Sequence, residues 1–171
     1  MMSQPFYYIF AIVVIGLILI LGFKYVKDIM STSCKVENID LIKDIQTEIN
    51  EWKSLPSGSG VRCTFTKASG TEYECEFVVS NNVNGVCFVD TSKGQASLIT
   101  DKFIDIRDTV RLLGKETERN LFFSLNEKTD CKIEPAIVKN LDIPSPVCLD
   151  ITEDNSFVLE SIGNKVQVKI S

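Results

Sequence analysis

The sequence predicts an α+β protein: an N-terminal transmembrane helix continuing into an amphipathic helix, then an antiparallel β-rich domain with one short helix. Three observations carry this. The run Pro5–Phe23, PFYYIFAIVVIGLILILGF, contains no charged residue. Apolar residues recur every third or fourth position between Val36 and Lys53. Beyond Gly60, apolar and polar residues alternate with the period of two that marks half-buried strands. The chain divides accordingly into an anchor over residues 1–30, an amphipathic helix over 31–55 and a β-rich domain over 61–171.

Extended through Tyr25 and Val26, the apolar run reaches about 30 Å as a helix, the thickness of a bilayer core. A cleaved secretory signal would place basic residues before a shorter apolar stretch and a small-residue site after it. Met1–Pro5 is uncharged, and the run is longer than a signal needs. A buried core helix would show a polar face, and this run is apolar all round. Tyr7 and Tyr8 at one end, with Lys24 and Tyr25 at the other, have the chemistry of interfacial residues. The expected contact is therefore a lipid bilayer, through residues 5–26.

Two signals oppose each other on orientation. Lys24, Lys27 and Lys35 follow the apolar run, and the positive-inside tendency would hold that side in the cytoplasm. Against this stand six cysteines, all beyond the run, with no CxxC pair and no histidine to make a metal site. Disulfides persist in oxidising compartments, so the cysteines favour an extracytoplasmic domain.

Within the amphipathic stretch, Val36, Ile39, Ile42, Ile45, Ile49 and Trp52 form one stripe, and Val26, Ile29 and Met30 continue it toward the anchor. Anchor and stripe read either as one rod or as two helices broken near Ser31-Thr32-Ser33. Leu55–Gly60, rich in Pro, Ser and Gly, ends the helix. A hairpin follows. Val61, Cys63 and Phe65 form one apolar face, and Tyr73, Cys75, Phe77 and Val79 another, with Ala68-Ser69-Gly70 as the turn. Residue 69 is the midpoint of 63 and 75, so Cys63 and Cys75 are expected to lie opposite each other and to bond where the pair is narrow.

Val86–Val89 is a third strand, entered through the turn-rich Ser80–Gly85. Ile99, Phe103, Ile106, Val110 and Leu113 then fit a helix face, with Thr100 or Asp101 as N-cap and Gly114 as a left-handed C-cap. Strands resume at Leu121–Leu125 and Val147–Ile151. A last hairpin joins Phe157–Ile162 to Lys165–Ile170 through Gly163-Asn164. Cys131–Cys148 is the second expected bridge, leaving Cys34 and Cys87 unassigned. Six cysteines allow fifteen pairings.

The chemistry that this sequence advertises is sparse. Without histidine, Ser–His and Cys–His pairs are excluded. No Gly-rich dinucleotide loop, Walker loop or nucleophile elbow is present. Ser57–Gly60 resembles a phosphate loop in composition alone and precedes a strand, where no helix N-terminus would meet an anion. Residues 36–171 carry 15 Lys and Arg against 22 Asp and Glu, a net charge of −7, which does not suit nucleic acid. Glu72, Glu74 and Glu76 share one strand face, where a solvated surface is the ordinary outcome; Arg62 and Lys67 could pair with them. Asp150–Asn155, DITEDN, is the one acidic loop that could be weighed for calcium, and it lacks the EF-hand pattern. Trp52 and Leu98 read as core or as interface anchors. No catalytic residue, cofactor-binding residue or metal ligand is expected.

The apolar helix, its amphipathic continuation, the Ser/Gly/Pro break and the cysteine-bearing β-domain together resemble the architecture of type IV pilin-like proteins. That resemblance implies subunits held together through the apolar half-helix, with the amphipathic half packed on the sheet. The family's acidic residue in the apolar run has no counterpart between Phe6 and Phe23, and no basic leader precedes Pro5. The segments GVCFVD (Gly85–Asp90), NLFFSL (Asn120–Leu125) and SIGNKVQV (Ser161–Val168), taken with the anchor, are similar to single-pass envelope proteins of small-genome archaea. The expectation is a non-enzymatic, single-pass envelope protein of the cell membrane whose partners are other envelope proteins or itself. The alternative is a pilin-like filament or assembly subunit.

Overall fold

The computed structural model describes residues 4–67, 70, 73–115, 117–126, 133–153 and 156–171, with backbone alone at 4–6 and 27–36. It forms two compact units, Met1–Ser33 and Cys34–Ser171. The first helix, α1, is uninterrupted over Gln4–Lys53, so the break considered near Ser31–Ser33 does not occur. In the first unit, Tyr7–Val26 is long and apolar enough to cross a membrane. Its large side chains stand exposed, from Tyr7 to Val26. Such a surface is stable in lipid and costly in water.

In the second unit the end of α1 joins the core. Leu41, Ile45 and Ile49 are buried, and Ile42 and Trp52 pack beside them. The buried face is turned slightly from the expected stripe. Ile39 is 52% exposed while Asn38 is 4% exposed, because the inward positions follow Leu41–Ile45–Ile49 at spacings of four. Gln46 fixes the helix to a neighbouring loop as a strand would. Its amide donates to the Lys139 carbonyl at 3.3 Å and accepts from the Lys139 amide at 2.7 Å.

Among the described residues eight strands follow: β1 (Gly60–Thr66), β2 (Cys75–Val78), β3 (Val83–Phe88), β4 (Leu121–Leu125), β5 (Leu141–Asp142), β6 (Val147–Asp150), β7 (Ser156–Ser161) and β8 (Val166–Ile170). They make a five-stranded sheet ordered β2-β1-β7-β8-β5 and a three-stranded sheet ordered β4-β3-β6. The inner face of the larger sheet presents Val61, Cys63, Phe65, Phe157, Leu159 and Val168, which share a core with Val86, Phe88 and Leu149 of the smaller sheet. Phe65, Phe77, Phe88 and Phe157 meet there with ring centroids 5.2–6.2 Å apart, the spacing at which aromatic pairs add to simple burial. The other face of the smaller sheet carries Cys87 and Phe122 against α2 (Ile104–Leu113), through Ile106 and Val110. Both faces of β3 are covered from Val86 onward, which explains the unbroken apolar run Val86–Val89.

Several expectations need correction. β1 and β2 are parallel, so they are no hairpin, and the Val79 amide donates to the Thr66 carbonyl. The partner antiparallel to β1 is β7. Gly163 has φ 97° at the first turn position of the β7–β8 hairpin, the sign a type II′ turn requires. β5 was not legible; it pairs in parallel with β8 just after Asn140, whose φ is 65°. Thr100 precedes a 3-10 turn, Asp101–Phe103, rather than α2, whose own N-cap is Phe103. Gly114 does cap α2, with φ 64° but ψ −166°, an extended exit and not a left-handed one.

Candidate functional site

Cys63 and Cys75 are disulfide-bonded with Cα atoms 4.4 Å apart. The second bond joins Cys87 to Cys148, Cα atoms 4.1 Å apart, so the expected Cys131–Cys148 bridge does not form. The register explains the partner. The Ile151 amide donates to the Asn84 carbonyl, so along β3 and β6 the Cys87–Cys148 pair, three residues inward of that hydrogen-bonded step, alternates into a narrow, non-hydrogen-bonded position. Cys131 and the side chain of Cys34 lie outside the described residues. Both bonds are sheltered: Cys63 and Cys87 are fully buried, and Cys75 nearly so.

The strand carboxylates do not converge. Glu74 is exposed, and Glu76 is half-buried and accepts the Gly70 amide at 3.0 Å; Glu72, Ala68 and Ser69 lie outside the described residues. Arg62 is exposed and pairs with Val158 on the β7 side of β1. Trp52 is half-buried, its indole N–H donating to Glu48 at 2.8 Å, whereas Leu98 is 63% exposed. Among the described residues no group of three metal-ligating side chains converges.

A cleft of about 490 Å³ opens elsewhere, between the start of α2 and one end of the smaller sheet. This falls within the size range of small-ligand sites, about 300–1,000 Å³. Its floor depends on a glycine. β3 bulges between Val83 and Gly85, and a Cβ at Gly85 would lie 2.4 Å from the Phe103 ring. Only the bare backbone lets Phe103 settle over the sheet, and the bulge carries Asn84 to the rim. Ser124 and Asn126 line the β4 side; Ile104 and Asp105 line the α2 side.

The remaining wall is a fixed ion pair. The Lys102 ammonium lies 2.8 Å from Asp150 Oδ2 and 2.6 Å from Glu153. Asp150 Oδ1 accepts from the Thr152 amide at 2.7 Å and its hydroxyl at 2.5 Å. Partial burial alone would raise the Asp150 carboxyl, but the hydrogen bonds from Lys102 and Thr152 outweigh it and hold its pKa below the usual carboxylate value. Hydrogen bonds to Asp150 and then Glu153 push the Lys102 ammonium above its ordinary pKa. In the acidic loop beginning at Asp150, Asp150 and Glu153 both pair with Lys102; Asp154 and Asn155 lie outside the described residues. Nothing in the spacing of Asn84, Lys102 and Ser124 marks them in sequence; a bulge, a 3-10 turn and the end of a strand bring them together.

These features define a class: an α+β domain with two described disulfides and a cleft of mixed lining, on a chain that also carries a helix long and apolar enough to span a bilayer. Comparison with known proteins finds no matching family model, no matching curated protein and no matching solved structure.

Proposed function

We propose that the chain is a single-pass protein of the cell membrane whose α+β domain lies outside the cytoplasm and serves as a non-catalytic interaction domain for envelope proteins or for a second copy of itself. The observation that carries the reading is the coexistence of the Tyr7–Val26 span with two disulfides. A bilayer anchor sets the location, and disulfides persist where the surroundings are oxidising. The lysines at 24, 27 and 35 pull the other way on charge alone, but a reducing compartment gives no route to stable bonds at two separate cysteine pairs. Acidic character and the absence of histidine support a binding role over nucleic-acid contact or imidazole-based catalysis.

The test is redox trapping. Thiols are alkylated at harvest under denaturing conditions, and the purified full chain is examined with and without reductant. The expected result is that Cys63, Cys75, Cys87 and Cys148 escape alkylation until reduced, and that reductant lowers the unfolding midpoint, since a native disulfide contributes about 2–5 kcal/mol. Full alkylation without reductant contradicts the oxidised-compartment reading.

The pilin-like alternative draws on one specific observation. A single helix, Gln4–Lys53, carries both the apolar run and the buried Leu41–Ile45–Ile49 face. Filaments containing this chain in sheared cell-surface material support it, and their absence removes it.

A further inference from the structure

We propose that the cleft between α2 and the end of the β4-β3-β6 sheet binds a neutral, hydroxyl-rich ligand, a short saccharide. The cleft presents acceptors without protons to give: the Asp105 carboxylate and the remaining lone pairs of Asp150. It also presents donors: the amides of Asn84 and Asn126, the Ser124 hydroxyl, and the Lys102 ammonium. Two of the three ammonium protons have partners in Asp150 and Glu153, which leaves one for a ligand. The side chains of Asn84 and Ser124, both half-buried, make no hydrogen bond to another described residue, and Asp105 forms no ion pair among them.

An anion offers acceptors only and would face Asp105 and Asp150 with a single lysine already shared between Asp150 and Glu153. A cation offers donors only and would confront Lys102 and the amide N–H groups. A hydroxyl both donates and accepts and carries no charge, so a ring of hydroxyls satisfies both sets together. The apolar part of the cleft, Phe103, Ile104 and Leu125, suits the C–H faces of a sugar ring. The wall is also pre-set: Thr152 fixes Asp150, and Asp150 fixes Lys102, so ordering costs on binding are low.

Saturation-transfer NMR on the full chain in lipid nanodiscs tests this with three neutral disaccharides, maltose, cellobiose and diacetylchitobiose, beside two charged probes, glucose 6-phosphate and spermidine. At least one neutral disaccharide is expected to bind more tightly than either charged probe. Asn84→Ala and Ser124→Ala are each expected to weaken it about tenfold, the loss of one productive hydrogen bond, while Asp108→Ala on the outer side of α2 leaves it unchanged. Thermal unfolding of each variant separates lost binding from lost folding, and Asn84→Asp, which keeps the shape but removes the donor, must also weaken binding. No signal from any neutral disaccharide, equal binding of a charged probe, or binding indifferent to Asn84 and Ser124 overturns the proposal.

Discussion

At Gly85 a single methyl group would press on Phe103, one of the residues that line the cleft. The added carbon would stand 2.4 Å from Phe103 Cε1 and 3.2 Å from the Leu149 carbonyl oxygen. The ring cannot withdraw without uncovering Cys87, Ile99 and Ile106, its neighbours in the smaller core. Gly85→Ala is therefore expected to destabilise the domain by about 1–3 kcal/mol, the usual cost of overpacking a tight site, measured by chemical denaturation of the full chain; an unchanged midpoint would show that Phe103 does not lie over β3. The sequence showed Gly85 as one residue of a turn-rich approach to β3. What it did not show is that the absent side chain is a space filled from another element. The same holds at Asn38, a polar residue that is buried because the inward face of α1 is set by Leu41, Ile45 and Ile49, four residues apart.

At the scale of elements, alternation revealed strands and faces but not partners. Positions 63 and 75 meet in an antiparallel hairpin about residue 69, and they meet equally in a parallel pair offset by twelve. The cysteine pair is therefore blind to strand direction. Neighbouring pairs are not: the parallel register sets Thr64 beside Glu76, and Phe65 beside Phe77 at a ring separation of 5.5 Å. Nuclear Overhauser contacts in the full chain are expected between Thr64 and Glu76; contacts between Thr64 and Glu74 in their place would restore the hairpin. The β7–β8 hairpin was legible because its two-residue turn specifies both direction and register. The helix over Ile104–Leu113 was legible from its 3.6 period, but its start was not, since a 3-10 turn with a similar pattern precedes it. β5 escaped notice because two residues are too short to show a period. The candidate site was the least legible of all. Its residues come from four separate segments, and only Asp150 stood out, as the head of an acidic loop whose charge the fold neutralises with Lys102.

At the scale of the whole molecule, the account joins a helix fit for lipid to a domain stapled by sulfur. The two described bonds do different structural work. Cys63–Cys75 closes a short loop, twelve residues apart, while Cys87–Cys148 spans sixty-one and ties β3 to β6 beneath α2. Because the four described cysteines are disulfide-bonded, thiol reagents aimed at them do not report which side of the membrane the folded domain occupies. Exposed amines can: Lys43, Lys139 and Lys165 all face solvent in the second unit. The most direct measurement is thus labelling of intact cells with a membrane-impermeant amine-reactive ester, followed by peptide mapping. The account predicts modification at Lys139 and Lys165 in unbroken cells, with no further gain on lysis. Modification of these lysines only after lysis would place the domain in the cytoplasm and contradict it.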